Sequence, residues 1–468
     1  MKPFDLIIGA ALGVGLAACA SVETQDDLAS VADTAPAELV EDSGLDIVVH
    51  EGDFAEIQQF TTPGGVSVWL VSEPSIPILS VAMAWEGGEA ADPEGLEGLA
   101  DAVVYHMNEG AGDLDSLAFQ TRMEELNMSF GCSASSDWTS CAASMLTDNA
   151  DEAMSLVAQA FEAPRFDAGP FARFQREREV SLNTRETNAR YLAGRAEAQA
   201  IYPDHPYARE TSAESIAALT PELAKAHMRK LMVKDSLIVT AVGAITPEEL
   251  APMLDAIAES LPESNDLPET PEITFTVDGA FEPVLIDLPQ PQSLVRFLAP
   301  GLKREDPDFF TAYVVNYTYG GGGFGSRLME SLRVQKGLTY GVYTWLSFDD
   351  TYQNWGGSGQ TKNESVGEFV EALLAETALI AEEGITAEEL ADAKAYLTGS
   401  YPLAFDSNAK IAGQMMSVRQ DELGVDYFDR RNALIEAVTL EDANRVAAEF
   451  LQPDRFSFIM VGQPEGLD

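Results

Sequence analysis

Zinc-dependent hydrolysis needs two histidines one helical turn apart and a carboxylate that activates water. His50, His205 and His227 are scattered without that spacing, which leaves each of them a surface or structural role. Gly320 to Gly325 spells a formal G-x-G-x-x-G, the pattern that cradles a pyrophosphate when it joins a strand to a helix. Here it follows a helical segment, and no acid stands where a ribose would need one, so dinucleotide binding is set aside. Gly320, Gly321, Gly322 and Gly323 are then a flexible loop before a helix, glycine being the default wherever backbone turns tightly. Arg333 falls in the last turn of that helix, closed by Gly337, where a cation suits the dipole. Tyr340, seven residues on, opens an aromatic strand with Tyr343 and Trp345. By residue type alone, both are ordinary placements.

The elements that would position these residues alternate strands with long helices from Ile47 onward. Val66 to Val71 and Ile78 to Trp85 are β-rich, Leu99 to Met107 and Leu117 to Leu126 have helical spacing, and Met128 to Met145 reads as a strand pair. Helices dominate to about Lys230. Ser236 to Gly243 is a buried-type strand, and Thr246-Pro247-Glu248-Glu249 opens a helix with a capping box. Residues 261–280 read as a linker, since Leu261 to Thr276 holds three Pro and four acids.

After the linker the order of elements returns. Asp92-Pro93 precedes Ala102-Val103-Val104-Tyr105, Arg122 to Leu126 and a strand pair; Asp306-Pro307 precedes Ala312-Tyr313-Val314-Val315, Arg327 to Leu332 and another strand pair. Arg455 to Gly462 closes the second half as Ser236 to Gly243 closes the first. The reading is an α+β chain of two homologous domains, residues 47–260 and 281–468, each a mainly antiparallel sheet covered by helices on one face.

This order, together with Glu97-Gly98-Leu99-Ala100, Glu109-Gly110, Tyr202-Pro203-Asp204-His205-Pro206-Tyr207, Ser326-Arg327-Leu328 and the run from Arg333 to Gly341, resembles the pitrilysin and mitochondrial-processing-peptidase superfamily of zinc metallopeptidases, the inverzincins. The likeness spans Ile47 to Gly462, and it implies half of a clam-shell chamber that encloses peptide. Peptide-cleaving members carry H-x-x-E-H after the Gly-Leu-Ala stretch. This chain has Asp101, Val104 and Tyr105 at those positions, so both histidine ligands and the base are missing. His106 is one residue too late and points about 100° away on a helix. Glu177 and Glu179 lie where a third ligand would be sought, and one carboxylate does not hold a site that needs three protein ligands. No metal is expected in this chain.

The resemblance carries over Arg333 and Tyr340. In the family the matching Tyr donates toward the scissile carbonyl oxygen as charge develops, and the Arg engages substrate carbonyls. The glycine run resembles a short counterpart of the substrate loop of non-catalytic processing-peptidase subunits. The chain therefore reads as the non-catalytic partner in a heterodimer. A zinc-bearing homologous subunit would hold the metal, and this chain would lend Arg333 and Tyr340 to a composite peptide-cleaving site. A structural or peptide-binding lipoprotein with the same fold and no catalytic role is the alternative.

The N-terminus resembles a bacterial lipoprotein signal: Lys2, a short apolar run from Leu6 to Ala18, then Leu16-Ala17-Ala18-Cys19. Residues 1–19 are read as that signal, with lipidation at Cys19 and a lipid anchor on the periplasmic side of the outer membrane. Residues 20–46 are read as a tether, because Ser21 to Asp46 has eight acids, no Lys or Arg and no aromatic. The whole chain has 28 Lys plus Arg against 77 Asp plus Glu, a net −49, which excludes a nucleic-acid binder. An exported compartment is oxidising. In a hairpin turning on Ser136 and Asp137, Cys132 falls opposite Cys141 as a close, non-hydrogen-bonded pair, and a disulfide is expected there.

Overall fold

The computed structural model describes residues 44–271, 273, 281–348 and 353–467. The signal, Cys19, nearly all of the tether and linker residues 272 and 274–280 lie outside the described residues.

The first half builds a seven-stranded sheet from β1 (Val48–Glu51), β2 (Glu56–Thr61), β3 (Ser67–Ser72), β4 (Ile78–Glu86), β5 (Ser129–Ala134), β6 (Trp138–Leu146) and β7 (Ile238–Gly243), in the order β1-β2-β3-β7-β4-β6-β5. Its helices are α1 (Leu99–His106), α2 (Ser116–Glu125), α3 (Ala150–Glu162), α4 (Ala168–Arg185), α5 (Ala189–Ile201), α6 (Ala213–Ala218), α7 (Pro221–Leu231) and α8 (Pro247–Ala258). The second half builds a five-stranded sheet from β8 (Val284–Asp287), β9 (Gln292–Pro300), β10 (Thr339–Phe348), β11 (Gln353–Lys362) and β12 (Ser457–Gly462), in the order β10-β11-β9-β12-β8. Its helices are α9 (Phe309–Asn316), α10 (Val366–Glu383), α11 (Ala387–Gly399), α12 (Asn408–Gln420), α13 (Tyr427–Ala437) and α14 (Leu440–Phe450).

The repeat seen in sequence is a repeat of topology. β3-β7-β4-β6-β5 matches β8-β12-β9-β11-β10 strand for strand, and in both sheets only the first of these pairings is parallel. β1 and β2 are additions to the first copy. The central strands β4 and β9 are buried along both faces and mostly apolar, with Arg296 the charged exception in β9. Leu79, Val81, Met83 and Trp85 of β4 enter the core of the first half, and Val295, Phe297 and Ala299 of β9 enter that of the second.

The opposite face of each sheet is covered by a helix from the other half. α12 lies on β4 and β7, where Ala412, Met415 and Val418 meet Ile57, Val71 and Val242. Polar contacts fix it there. Thr240 donates to the Ala412 carbonyl at 2.8 Å, and the Arg419 guanidinium donates to the Ser67 carbonyl at 3.0 Å and the Val239 carbonyl at 2.7 Å. Reciprocally, Ala189, Leu192 and Ala193 of α5 pack on Leu294, Leu298, Ile459 and Val461, and Glu197 of α5 pairs with Arg296 of β9.

β5 and β6 form the hairpin expected from the sequence, with Ser135 N–H donating to Trp138 O at 2.8 Å across the two-residue turn. Cys132 stands opposite Cys141, their Cα atoms 4.0 Å apart and their sulfurs bonded. Alkylation of the denatured, unreduced protein is expected to label neither cysteine, and labelling of both would remove the disulfide from the account.

Candidate functional site

Helix α1 carries the positions of the missing zinc motif, and its start is fixed with unusual thoroughness. Gly98 enters it at φ +95°, where an added Cβ would also come within 2.9 Å of the Ile216 side chain. The buried Asp92 carboxylate then accepts from the backbone N–H groups of Gly98 (2.8 Å), Leu99 (2.9 Å) and Ala100 (2.8 Å). These are donors that a helix start leaves without intrahelical partners. Nε2 of the buried His227, on α7, lies 3.2 Å from the same carboxylate.

Asp101 and Tyr105, four residues apart, both face α4. Asp101 Oδ1 is 3.2 Å from Nη2 of Arg178. The Tyr105 hydroxyl donates to Oε2 of Glu177 and accepts from Nε of Arg173, each at 3.0 Å. Arg173 also reaches Glu109 at 2.5 Å, and Glu109 accepts from the Ser116 hydroxyl at 2.5 Å. Val104 is buried, and Glu179 is exposed on α4. His106 points away into a box of Phe166, Phe171 and Phe174, with Nδ1 2.7 Å from the Ala102 carbonyl oxygen. Burial holds its imidazole below the usual histidine range, so it sits there neutral.

Burial raises the Asp101 carboxyl, against the opposing pull of Arg178. Glu89, beside it, is pushed up to about 6 by loss of water around the carboxyl and by the charges of Asp101 and Asp92. A carboxyl that protonates more readily folded than unfolded opposes folding once it is charged. Glu89→Gln is therefore expected to melt higher than the natural chain above about pH 6, with the difference closing toward pH 4.5; melting curves across that range check it.

These residues do not fit zinc. Each of the two ligand positions on α1 holds a group already engaged with a guanidinium, and Val104 has no lone pair to offer. Among the described residues, no three His, Cys, Asp or Glu side chains gather into a group that could hold a metal ion.

The C-terminal pair is built differently. Arg333 lies on a π-helical turn, Met329–Gln335, ended by Gly337 at φ +66°. Its guanidinium stands 4.4 Å from the centre of the Phe324 ring, which is 71% exposed. Tyr340 is 84% exposed at the start of β10, an edge strand. Among the described residues neither side chain makes a hydrogen bond or ion pair, and no such contact joins them to α1 or α4. The glycine run links a π-helical turn, Tyr317–Gly321, to a 3-10 turn, Gly323–Gly325. An added Cβ would meet Thr344 at 2.6 Å from Gly320, Asn316 at 2.7 Å from Gly321 and the Tyr317 carbonyl at 2.6 Å from Gly322, so these three are demanded by packing. Gly323 alone of the four has open space, at φ +61°.

Of the remaining histidines, His50 is 2.7 Å from Asp429 of α13, and His205 Nε2 is 2.7 Å from the Pro271 carbonyl oxygen. Both hold structure together, as their spacing suggested. Sequence reasoning passed over Arg173, Arg178 and the Asp92 cap. The i, i+4 pairing of Arg173 with Glu177 was the available sign that α4 brings cations to this place.

Residues 67–213 match the family description Insulinase (Peptidase family M16), and residues 218–397 match Peptidase M16 inactive domain; together they take in more than two thirds of the chain. A relative from Helicobacter pylori, described as the non-peptidase homolog YmxG, is 28% identical over 331 residues, 70% of this chain and 76% of the relative. A Bacillus subtilis relative described as an uncharacterized zinc protease, also YmxG, is 21% identical over 85% of this chain and 96% of its own length. The solved structure of a peptidase M16 inactive domain from Pseudomonas fluorescens superposes with a TM-score of 0.80 at 26% identity, covering 87% of this chain and 98% of that one. The two-sheet fold, the repeated strand order and the matches across both halves agree: this chain is a member of the M16, or insulinase, peptidase family.

Proposed function

We propose that this chain is the non-catalytic subunit of a heterodimeric zinc metallopeptidase, lending Arg333 and Tyr340 to a peptide-cleaving site whose zinc is held by a homologous H-x-x-E-H partner. One observation carries the reading. The groups that would bind metal are tied into contacts with α4, whereas the exposed Tyr340 hydroxyl and the half-buried Arg333 guanidinium, stacked on Phe324, make no hydrogen bond or ion pair among the described residues. An exposed tyrosine at the start of an edge strand is free to donate its hydroxyl to a group brought by a partner. The Helicobacter pylori relative's description as a non-peptidase homolog supports the absence of cleavage by the chain alone. The reading includes export, lipidation at Cys19 and placement at the periplasmic side of the outer membrane.

Co-expression with zinc-bearing M16 homologues, size-exclusion and a peptide-cleavage assay test the proposal. An assembled pair should cleave peptides that neither chain cleaves alone. A partner that cleaves at the same rate with and without this chain would favour the scaffold reading instead. Elemental analysis of the chain purified alone is expected to find no stoichiometric zinc, and about one zinc per chain retained against a weak chelator would overturn the non-catalytic assignment.

A further inference from the structure

The absence of zinc ligands explains why this chain would bind metal poorly, but it does not explain what holds α1 against α4 in its place. In a metal site, a dication cross-links ligands presented by separate helices. Here Asp101 and Tyr105 on α1, and Glu109 just beyond it, meet Arg173, Glu177 and Arg178 on α4. Arg178 takes Asp101, and Arg173 takes Tyr105 and Glu109 while lying 4.0 Å from Glu177. Two monocations thus carry the charge of one dication, and each contacts one of the two α1 positions that would be ligands. The geometry is anchored from behind: the Arg178 guanidinium lies 5.4 Å from the centre of the buried Phe174 ring. Its Nε is buried without a hydrogen-bond partner, which leaves the fork committed to Asp101.

We infer that Arg173 and Arg178 occupy from within the chain the place that zinc takes in a catalytic M16 site, and that they exclude the metal even when its ligands are supplied. The clasp is a property of this chain alone and holds whether or not a partner subunit exists. Like charges a few ångströms apart repel strongly wherever water is partly excluded, so a dication cannot settle between two guanidiniums. Degeneration of the site is then a replacement, in which restoring the motif is insufficient.

Two chains test this. Asp101→His/Val104→Glu/Tyr105→His restores the motif and keeps both arginines, with Glu177 and Glu179, where a third ligand would be sought, left in place; it is expected to hold less than about 0.1 zinc per chain against a weak chelator. Adding Arg173→Ala and Arg178→Ala to that chain should raise the content to about one zinc. Full zinc occupancy with the arginines in place would overturn the inference, as would absence of zinc from both variants when their circular dichroism matches the natural chain. An independent measurement needs no grafted motif. In the natural background Arg173→Ala/Arg178→Ala should speed amide hydrogen exchange in α1 and α4 by at least about tenfold relative to β4 and β9. Unchanged exchange in those helices would equally sink the clasp.

Discussion

In an assembled pair with a zinc-bearing homologue, Tyr340→Phe is expected to lower kcat by about 10² to 10³, the usual cost of losing one preorganised oxyanion donor. Elution volume and melting temperature should stay where they were, because the Tyr340 hydroxyl makes no hydrogen bond among the described residues and the side chain is 84% exposed. That separation makes the experiment decisive. A purely structural tyrosine would show its loss in stability, whereas this one has no stability role to lose. Arg333→Ala should act mainly on KM, since contacts to substrate carbonyls exist before the transition state forms. The same substitution unstacks Phe324, a cation–π contact at an exposed site worth about 0.5 to 1 kcal/mol, so a small drop in melting temperature is expected beside the kinetic effect. Full activity of both variants in an assembled pair would leave the scaffold reading as the better account.

The largest stability effect is expected at Asp92→Ala. One buried carboxylate satisfies three N–H groups at the start of α1 and faces a buried histidine. Losing a helix cap costs about 0.5 to 2 kcal/mol, and leaving further buried polar groups unpaired adds about 1 to 3 kcal/mol each. A loss of about 3 to 5 kcal/mol follows once partial solvation of the freed groups is allowed for, with denaturant midpoints as the measurement. Asp92→Asn keeps one of the two accepting oxygens, enough for Gly98 and Leu99 but not also for Ala100, and should recover part of the loss. A loss under about 1 kcal/mol for the alanine variant would mean that water replaces the cap at no cost.

Much of this fold was legible in residue order. The capping box at Thr246 forms as read, with Thr246 accepting from Glu249 N–H at 3.3 Å and Glu249 accepting from Thr246 N–H at 3.0 Å. The period-two hairpin placed Cys132 opposite Cys141 because register follows from turn length once Ser136 and Asp137 are the turn. What stayed hidden were contacts between elements distant in sequence. Arg173 and Arg178 look like the charges of any solvated helix until α1 is laid against α4. Asp92 looks like the first residue of an Asp-Pro turn until His227, from α7, arrives beside it. The order of residues predicts helices on one face of each sheet, and nothing in the local pattern of β4 or β9 says that α12 and α5 cross between the halves to cover the other. Local pattern reports burial and leaves the identity of the covering partner to tertiary structure.

The crossing of α5 and α12 between the halves sets a schedule for the newborn chain. Strands β4 and β7 are complete by Gly243, yet the helix that shields their second face ends only at Gln420. At translation rates of about 5 to 20 residues per second, that interval is roughly 10 to 35 seconds of exposed apolar sheet. A severed N-terminal half would never be shielded, so it should aggregate when made alone and become soluble when the C-terminal half is supplied as a separate polypeptide. A gene encoding this protein cannot be shortened to either repeat, although each repeat carries a full sheet.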